Sequence, residues 1–84
     1  MNQSQILQQV ADIIRDVLDP LNDKDLKISH ETTADQTEGW DSFNHINIVV
    51  AIEQHFRIKF KTAEIESLRN VGELVALIAK KTGA

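Results

Sequence analysis

A single serine stands where a polar loop gives way to an apolar helix, in the segment TEGWDSFNHINIVVAIEQHF from Thr37 to Phe56. The Ser42 hydroxyl could begin the helix, attack a substrate, or hold an attached group. Attachment has a physical basis, because the first N–H groups of a helix are unpaired and its dipole is positive there, which suits a phosphate. Asp41 already supplies a helix cap, so a capping role explains Ser42 poorly.

A hydrolase would need Ser42, His45 and Asp41 to act together. Ser42 and His45 are one helical turn apart and can approach each other. Asp41 is badly placed to orient the far side of His45, and the sequence has no Gly-x-Ser-x-Gly elbow or recognisable oxyanion hole. A helical adaptor without any prosthetic group is a further alternative, and an intact-mass measurement would separate it from a carrier.

Composition narrows the function further. The chain has 84 residues, 42% of them hydrophobic and 26% charged, which predicts one small domain without a deep active site. It has no cysteine, so any thiol chemistry must come from an added group. The net charge of −4 argues against nucleic acid and favours basic protein partners.

No apolar run approaches the roughly 20 residues of a membrane span. The N-terminus lacks the basic and apolar regions of a signal peptide, so we expect a cytoplasmic protein without membrane insertion.

The apolar periodicity predicts four helices. The first runs from Ser4 to Leu18, begins with an Asn2–Gln5 capping box and ends before Pro20. The others run from Ser42 to Phe56, from about 62 to 67, and from Val71 to about 81. Asp41 caps the second helix, Thr62 is the predicted cap of the third, and Gly83 follows the last.

Two segments lack helical periodicity. The first loop, residues 21–40, is long for a compact domain and has Leu26 and Ile28 as anchors. Residues 57–61, RIKFK, predict an extended connector pinned by Ile58 and Phe60, because one isolated strand has no partner. The predicted fold is therefore all-α: a four-helix bundle with three longer helices, one short helix and a long first loop, formed by residues 1–84 as a single domain.

The second helix has an apolar arc that is wider than packing against two helices requires. Its edge is formed by Phe43, Ile46 and Val50. These three side chains are either a contact surface and pocket lip, or part of a helix that is buried on three sides. The three histidines, His30, His45 and His55, are too dispersed to form a recognisable metal motif.

Asp41-Ser42-Phe43, at the start of a helix after a long loop and before VVAIEQHF, resembles the Asp-Ser-Leu attachment site of acyl carrier proteins. Length, acidity, helix order and the long first loop extend the resemblance to nearly the whole chain. It implies a monomeric carrier that is not an enzyme. A phosphopantetheinyl transferase would move 4′-phosphopantetheine from coenzyme A onto Ser42, with Asp41 helping to bind magnesium. The thiol of the arm would then present acyl groups as thioesters to acyl-loading and acyl-transfer enzymes.

The sequence departs from this family pattern in its charges. Asn44 and Asn47 stand where acidic residues are usual, and the segment after the second helix carries three cations, Arg57, Lys59 and Lys61. The acids that keep the usual negative face are Glu53, Glu64 and Glu66. Because housekeeping fatty-acid enzymes dock carriers through that acidic face, we expect a specialised carrier with dedicated partners.

The cargo site is expected beside Ser42. Ile46, Val50 and Phe43 would form one edge, with Ile65 and Leu68 of the third helix forming the other. Phe43 is bulkier than the usual leucine and is expected to narrow the entrance, which favours short or polar cargo. Trp40 is expected to pack the loop onto the second helix. Fatty-acid, polyketide, aminoacyl, lipid-modification and signalling-lipid pathways all use carriers of this shape.

Overall fold

The computed structural model describes residues 2–21 and 26–83, which form four helices. They are α1 (Gln3–Leu18), α2 (Ser42–Phe56), α3 (Thr62–Glu66) and α4 (Val71–Thr82). The described residues contain no strand, and the predicted all-α bundle of three longer helices and one short helix is confirmed. Positions 22–25 of the predicted first loop lie outside the described residues. None of the helices in the described ranges is long and apolar enough to cross a membrane.

Both ends of α1 follow the predicted signals. The Asn2 side chain accepts a hydrogen bond from the Gln5 N–H at 2.9 Å, and the Gln5 side chain accepts one from the Asn2 N–H at 3.0 Å. This capping box starts the helix one residue earlier than predicted. The helix ends at Leu18, and the N–H of Asp19 donates to the Arg15 carbonyl at 2.7 Å, because Pro20 excludes a further helical residue.

The core lies where α1 packs against α2 and α4. Its fully buried large side chains come from these three helices: Ile6, Val10, Ile14, Ile48, Ile52, Val71, Val75 and Ile78. Their spacing of three or four residues gives each helix one buried face. α3 contributes no buried residue, so burial anchors it less firmly than the other helices.

The described part of the first loop is tied to α1 and to the start of α4. Leu26 and Ile28 pack against the core as predicted, and the Arg15 side chain donates to the Leu26 carbonyl at 3.0 Å. The carbonyl of His30 accepts from the Gly72 N–H at 2.8 Å. A Cβ at Gly72 would lie 3.0 Å from that carbonyl, so glycine permits this close approach.

The connector after α2 is extended, with Ile58 and Phe60 packed against the core as predicted. Arg57 adopts a left-handed conformation with φ of 58°, which lets the Ile58 N–H turn back to the Glu53 carbonyl at 3.0 Å. The predicted Thr62 cap of α3 is wrong. Lys61 is the cap residue, because its N–H bonds back to the Glu64 side chain at 2.8 Å and Thr62 is already helical.

Candidate functional site

Ser42 is the first residue of α2, and its side chain is exposed. Asp41 caps the helix: its side chain accepts from the Asn44 N–H at 2.8 Å, and its carbonyl accepts from the His45 N–H at 2.8 Å. The N–H groups of Ser42 and Phe43 precede the first intrahelical bond. Among the described residues, the Ser42 hydroxyl has no hydrogen-bond partner. The serine is therefore accessible, next to free N–H donors and the positive end of the helix, which suits an attached phosphate.

Asn44 fastens the loop before the serine to α2. Its side-chain amide donates to the Gly39 carbonyl at 2.7 Å, and Gly39 has a positive φ of 86°. The Asn47 amide in turn donates to the Asn44 side-chain oxygen at 3.3 Å. In the sequence, Asn44 stands out only because it replaces an acidic residue. Its role in holding the loop was not predicted, because that role depends on the folded path of the loop.

Trp40 and His45 form a hydrogen-bonded pair beside Ser42. The Trp40 Nε1–H donates to His45 Nδ1 at 3.1 Å, and the stacked rings lie 6.2 Å apart between centroids with an interplanar angle of 29°. Trp40 thus packs the loop onto α2 as predicted. This geometry also opposes a hydrolase: His45 Nδ1 is turned to an indole, and the Asp41 carboxylate is engaged by a backbone N–H.

An open groove runs beside Ser42 between α2 and α3. Its predicted members are Asp41 and Ser42 at the start of α2, Ile46 one turn on, and Ile65 and Leu68 on the opposite side. Trp40, His45 and Glu66 also line it. The structure therefore places Ile46 of the first predicted edge opposite Ile65 of α3 and Leu68, which follows α3 instead of lying on it as predicted.

Phe43 and Val50 lie outside this groove, on the exposed face of α2. Phe43 is 74% exposed, Ile46 53% and Val50 43%, so α2 is not buried on three sides. Because Phe43 does not line the groove, the expectation that it narrows the entrance is wrong. A side chain one residue after the serine points away from α3, since successive helical residues are turned by about 100°.

The acids of the expected negative face have structural partners. The Glu53 carboxylate accepts from the Phe60 N–H at 2.8 Å. The Glu64 carboxylate pairs with the Lys81 ammonium at 3.0 Å. The hydrogen bond from the Lys61 N–H lowers the pKa of Glu64 below its usual value, and the Lys81 ammonium adds a smaller effect in the same direction. Neither contact follows from the helical pattern, because each partner lies in a different segment of the folded chain.

A smaller, partly open cavity of about 30 Å³ adjoins the groove, with Leu68 and Leu74 among its lining residues. This is space for about one water molecule, so it cannot hold an acyl chain without rearrangement. The fold therefore presents an accessible serine at the surface, beside an open groove and outside the buried helical core.

Comparison with known proteins specifies the class. Residues 8–78 match the family model described as the phosphopantetheine attachment site. The chain is 36% identical over 84 residues to the acyl carrier protein of Picosynechococcus, covering all of this chain and 99% of that protein. It is 34% identical over 86 residues to the mitochondrial acyl carrier protein of Saccharomyces cerevisiae, covering all of this chain and 68% of that one.

A solved structure extends the likeness to three dimensions. The solution structure of holo acyl carrier protein from Geobacter metallireducens superposes with a TM-score of 0.81 at 38% identity, covering 92% of this chain and 85% of that one. The chain belongs to the acyl carrier protein family. It is a carrier that bears 4′-phosphopantetheine covalently, and it is not an enzyme.

Proposed function

We propose that Ser42 accepts 4′-phosphopantetheine from coenzyme A and that residues 1–84 act as one monomeric, cytoplasmic carrier domain. The observation that carries the proposal is the exposed Ser42 hydroxyl at the first position of α2, with the capping role taken by Asp41. One Asp41 oxygen accepts from the Asn44 N–H, and the carboxylate can offer its other oxygen to a magnesium ion in the transferase complex.

The thiol of the arm supplies the acyl-bearing sulfur that this cysteine-free chain lacks. Acyl groups held there as thioesters pass to and from loading and transfer enzymes. These enzymes contact the helix-two apolar face, which we define as Phe43, Ile46 and Val50. The face is exposed and begins one residue after Ser42, so a partner that covers it also reaches the arm.

Charge favours dedicated partners over enzymes that dock through an acidic helix. The only acid on α2, Glu53, accepts a backbone hydrogen bond, and Glu64 is paired with Lys81. Arg57, Lys59 and Lys61 are exposed at the far end of α2. A partner that complements this side has an apolar patch opposite Phe43 and an acidic rim opposite the three cations.

Intact mass after co-expression with a broad-specificity phosphopantetheinyl transferase tests attachment. We expect one added phosphopantetheine, which peptide mapping places on Ser42. Ser42→Ala is expected to fold and stay unmodified. Ser4→Ala is the matched control, because Ser4 is also an exposed serine in the first turn of a helix. Modification at another residue contradicts the assignment of the arm to Ser42, whereas no modification with several transferases leaves the adaptor as the better interpretation.

A further inference from the structure

The open groove and the small cavity adjoin each other, and Trp40 and His45 line both, together with Ala34 and Leu68. The groove is also lined by Ser42, and the cavity by Leu74. Leu74 is 3% exposed and belongs to the hydrophobic core. The Trp40–His45 pair therefore lies where the groove beside Ser42 meets the cavity that reaches Leu74.

A directional contact holds the Trp40–His45 pair in place. The indole N–H can only donate a hydrogen bond, and His45 Nδ1 can accept one only while that nitrogen carries no proton. At 3.1 Å the two atoms satisfy each other. The Trp40 backbone is held as well, since its N–H donates to the Thr37 carbonyl at 3.2 Å. Swinging the indole away leaves a partly buried donor and acceptor to find other partners, which opposes opening.

The adjoining cavity is too small for an acyl chain while the Trp40–His45 pair is in place. The cavity of about 30 Å³ has room for about one water molecule. Leu68 lines both spaces and follows α3, the helix without buried residues, so this side can yield. Among the residues that line both spaces, the hydrogen-bonded pair is then the most firmly held obstacle between Ser42 and Leu74.

We propose that the Trp40–His45 pair is a gate that keeps acyl cargo in the open groove and thereby selects short or polar acyl groups. The proposal rests on the attachment of the arm to Ser42 proposed above. When the pair is removed, the groove joins the cavity, and a medium-length acyl chain reaches Leu74. Each methylene that leaves water then stabilises the loaded protein.

The test compares acetyl and octanoyl thioesters of the holo protein in four forms: native, Trp40→Leu, His45→Ala and His55→Ala. His55→Ala is the matched control, because His55 lies on the same helix, is exposed and bonds to Gln9 outside the gate. Intact mass first establishes that the arm is on Ser42. Thermal melts and NOEs between the octanoyl chain and the Leu74 methyl groups are then recorded for each form.

In the native protein and in His55→Ala, we expect equal melting temperatures for the two thioesters and no NOE to Leu74. In Trp40→Leu and His45→Ala, we expect octanoyl to raise the Tm by about 4–8 °C over acetyl, with NOEs to Leu74. If Trp40→Leu does not fold, His45→Ala decides the matter, because it keeps the tryptophan.

Two outcomes overturn the gate while leaving the carrier intact. One is an octanoyl chain that already contacts Leu74 in the native protein. The other is that both gate variants carry the arm on Ser42 but show the same octanoyl melting temperature and the same lack of NOEs to Leu74 as the native protein. An unmodified Ser42 overturns the proposed function and the gate together, and the initial mass measurement identifies that case.

Discussion

The Glu53 carboxylate accepts a hydrogen bond from the Phe60 N–H at 2.8 Å, seven residues along the chain. It therefore fixes the extended connector against the end of α2. Because the acceptor is charged and the bond is partly buried, we expect Glu53→Ala to reduce the free energy of unfolding by about 1.5–3 kcal/mol. Urea unfolding measures this. Glu66→Ala is the control, since Glu66 is exposed, and equal effects of both substitutions would show that the Glu53 contact contributes nothing.

Arg57 has a left-handed backbone conformation, with φ of 58°, which is unfavourable for a residue that has a Cβ. Glycine adopts this geometry without a clash between Cβ and the backbone. We expect Arg57→Gly to raise the free energy of unfolding by about 1 kcal/mol, measured by thermal and urea unfolding. Arg57→Ala removes the same cation but keeps the Cβ, so it is expected to be close to neutral. If alanine stabilises as much as glycine, the gain comes from the lost charge and not from the backbone.

Glu64 links the start of α3 to the last turn of α4 through Lys81. The Lys61 N–H and then Lys81 lower its pKa from 4.5, so the folded-state pKa lies below the unfolded one. The contacts stabilise the fold fully above pH 4.5, and this contribution is lost as the pH falls through the folded-state pKa.

Glu64→Gln separates the charge from the cap, because the amide oxygen can still accept from Lys61. We expect the native protein to be the more stable of the two at neutral pH, and the two stability curves to converge in acid. Urea unfolding across this pH range measures the difference. Parallel curves would mean that the Glu64 charge does not contribute, and Glu66→Gln supplies the comparison for an exposed acid two residues further along the chain.

An acidic docking charge can be restored at Asn47 with less disturbance of the structure than at Asn44. Asn44 donates a hydrogen bond to the Gly39 carbonyl, which an aspartate there cannot do. We therefore expect Asn47→Asp to improve turnover by a housekeeping ketoacyl synthase. Asn44→Asp is expected to improve turnover less, because the loop loses its hydrogen bond to the side chain at position 44. Exposed charge contacts are screened by salt, so the gain at Asn47 is expected to shrink as ionic strength rises.

Turnover at low and high salt for the native protein and the two variants measures this effect. A gain that does not change with salt points to altered structure instead of charge steering. Efficient turnover of the native protein by the same synthase contradicts the proposal of dedicated partners and identifies an ordinary fatty-acid carrier.

The sequence by itself determined the helices and the place of Ser42, because both depend on neighbouring residues. The i, i+4 spacing of Ile6, Val10 and Ile14 predicts one buried face, and the Asn2–Gln5 box and Asp41 mark helix starts through contacts three residues long. The same local order put a serine after a capping aspartate, and the lack of cysteine required an external thiol.

Only the tertiary structure decided how the surroundings of Ser42 are used. Helical periodicity placed Phe43 at the groove, but the orientation of α2 against α3 turns Phe43 to solvent and leaves Ile46 as a lining residue of the open groove. Glu64 meets Lys81 across 17 positions of the chain (81 − 64), which no local pattern encodes. The Trp40–His45 bond likewise depends on the path of the loop around Gly39. Such contacts join segments whose relative position is fixed by burial of the core, so they follow from packing and not from the residues beside them.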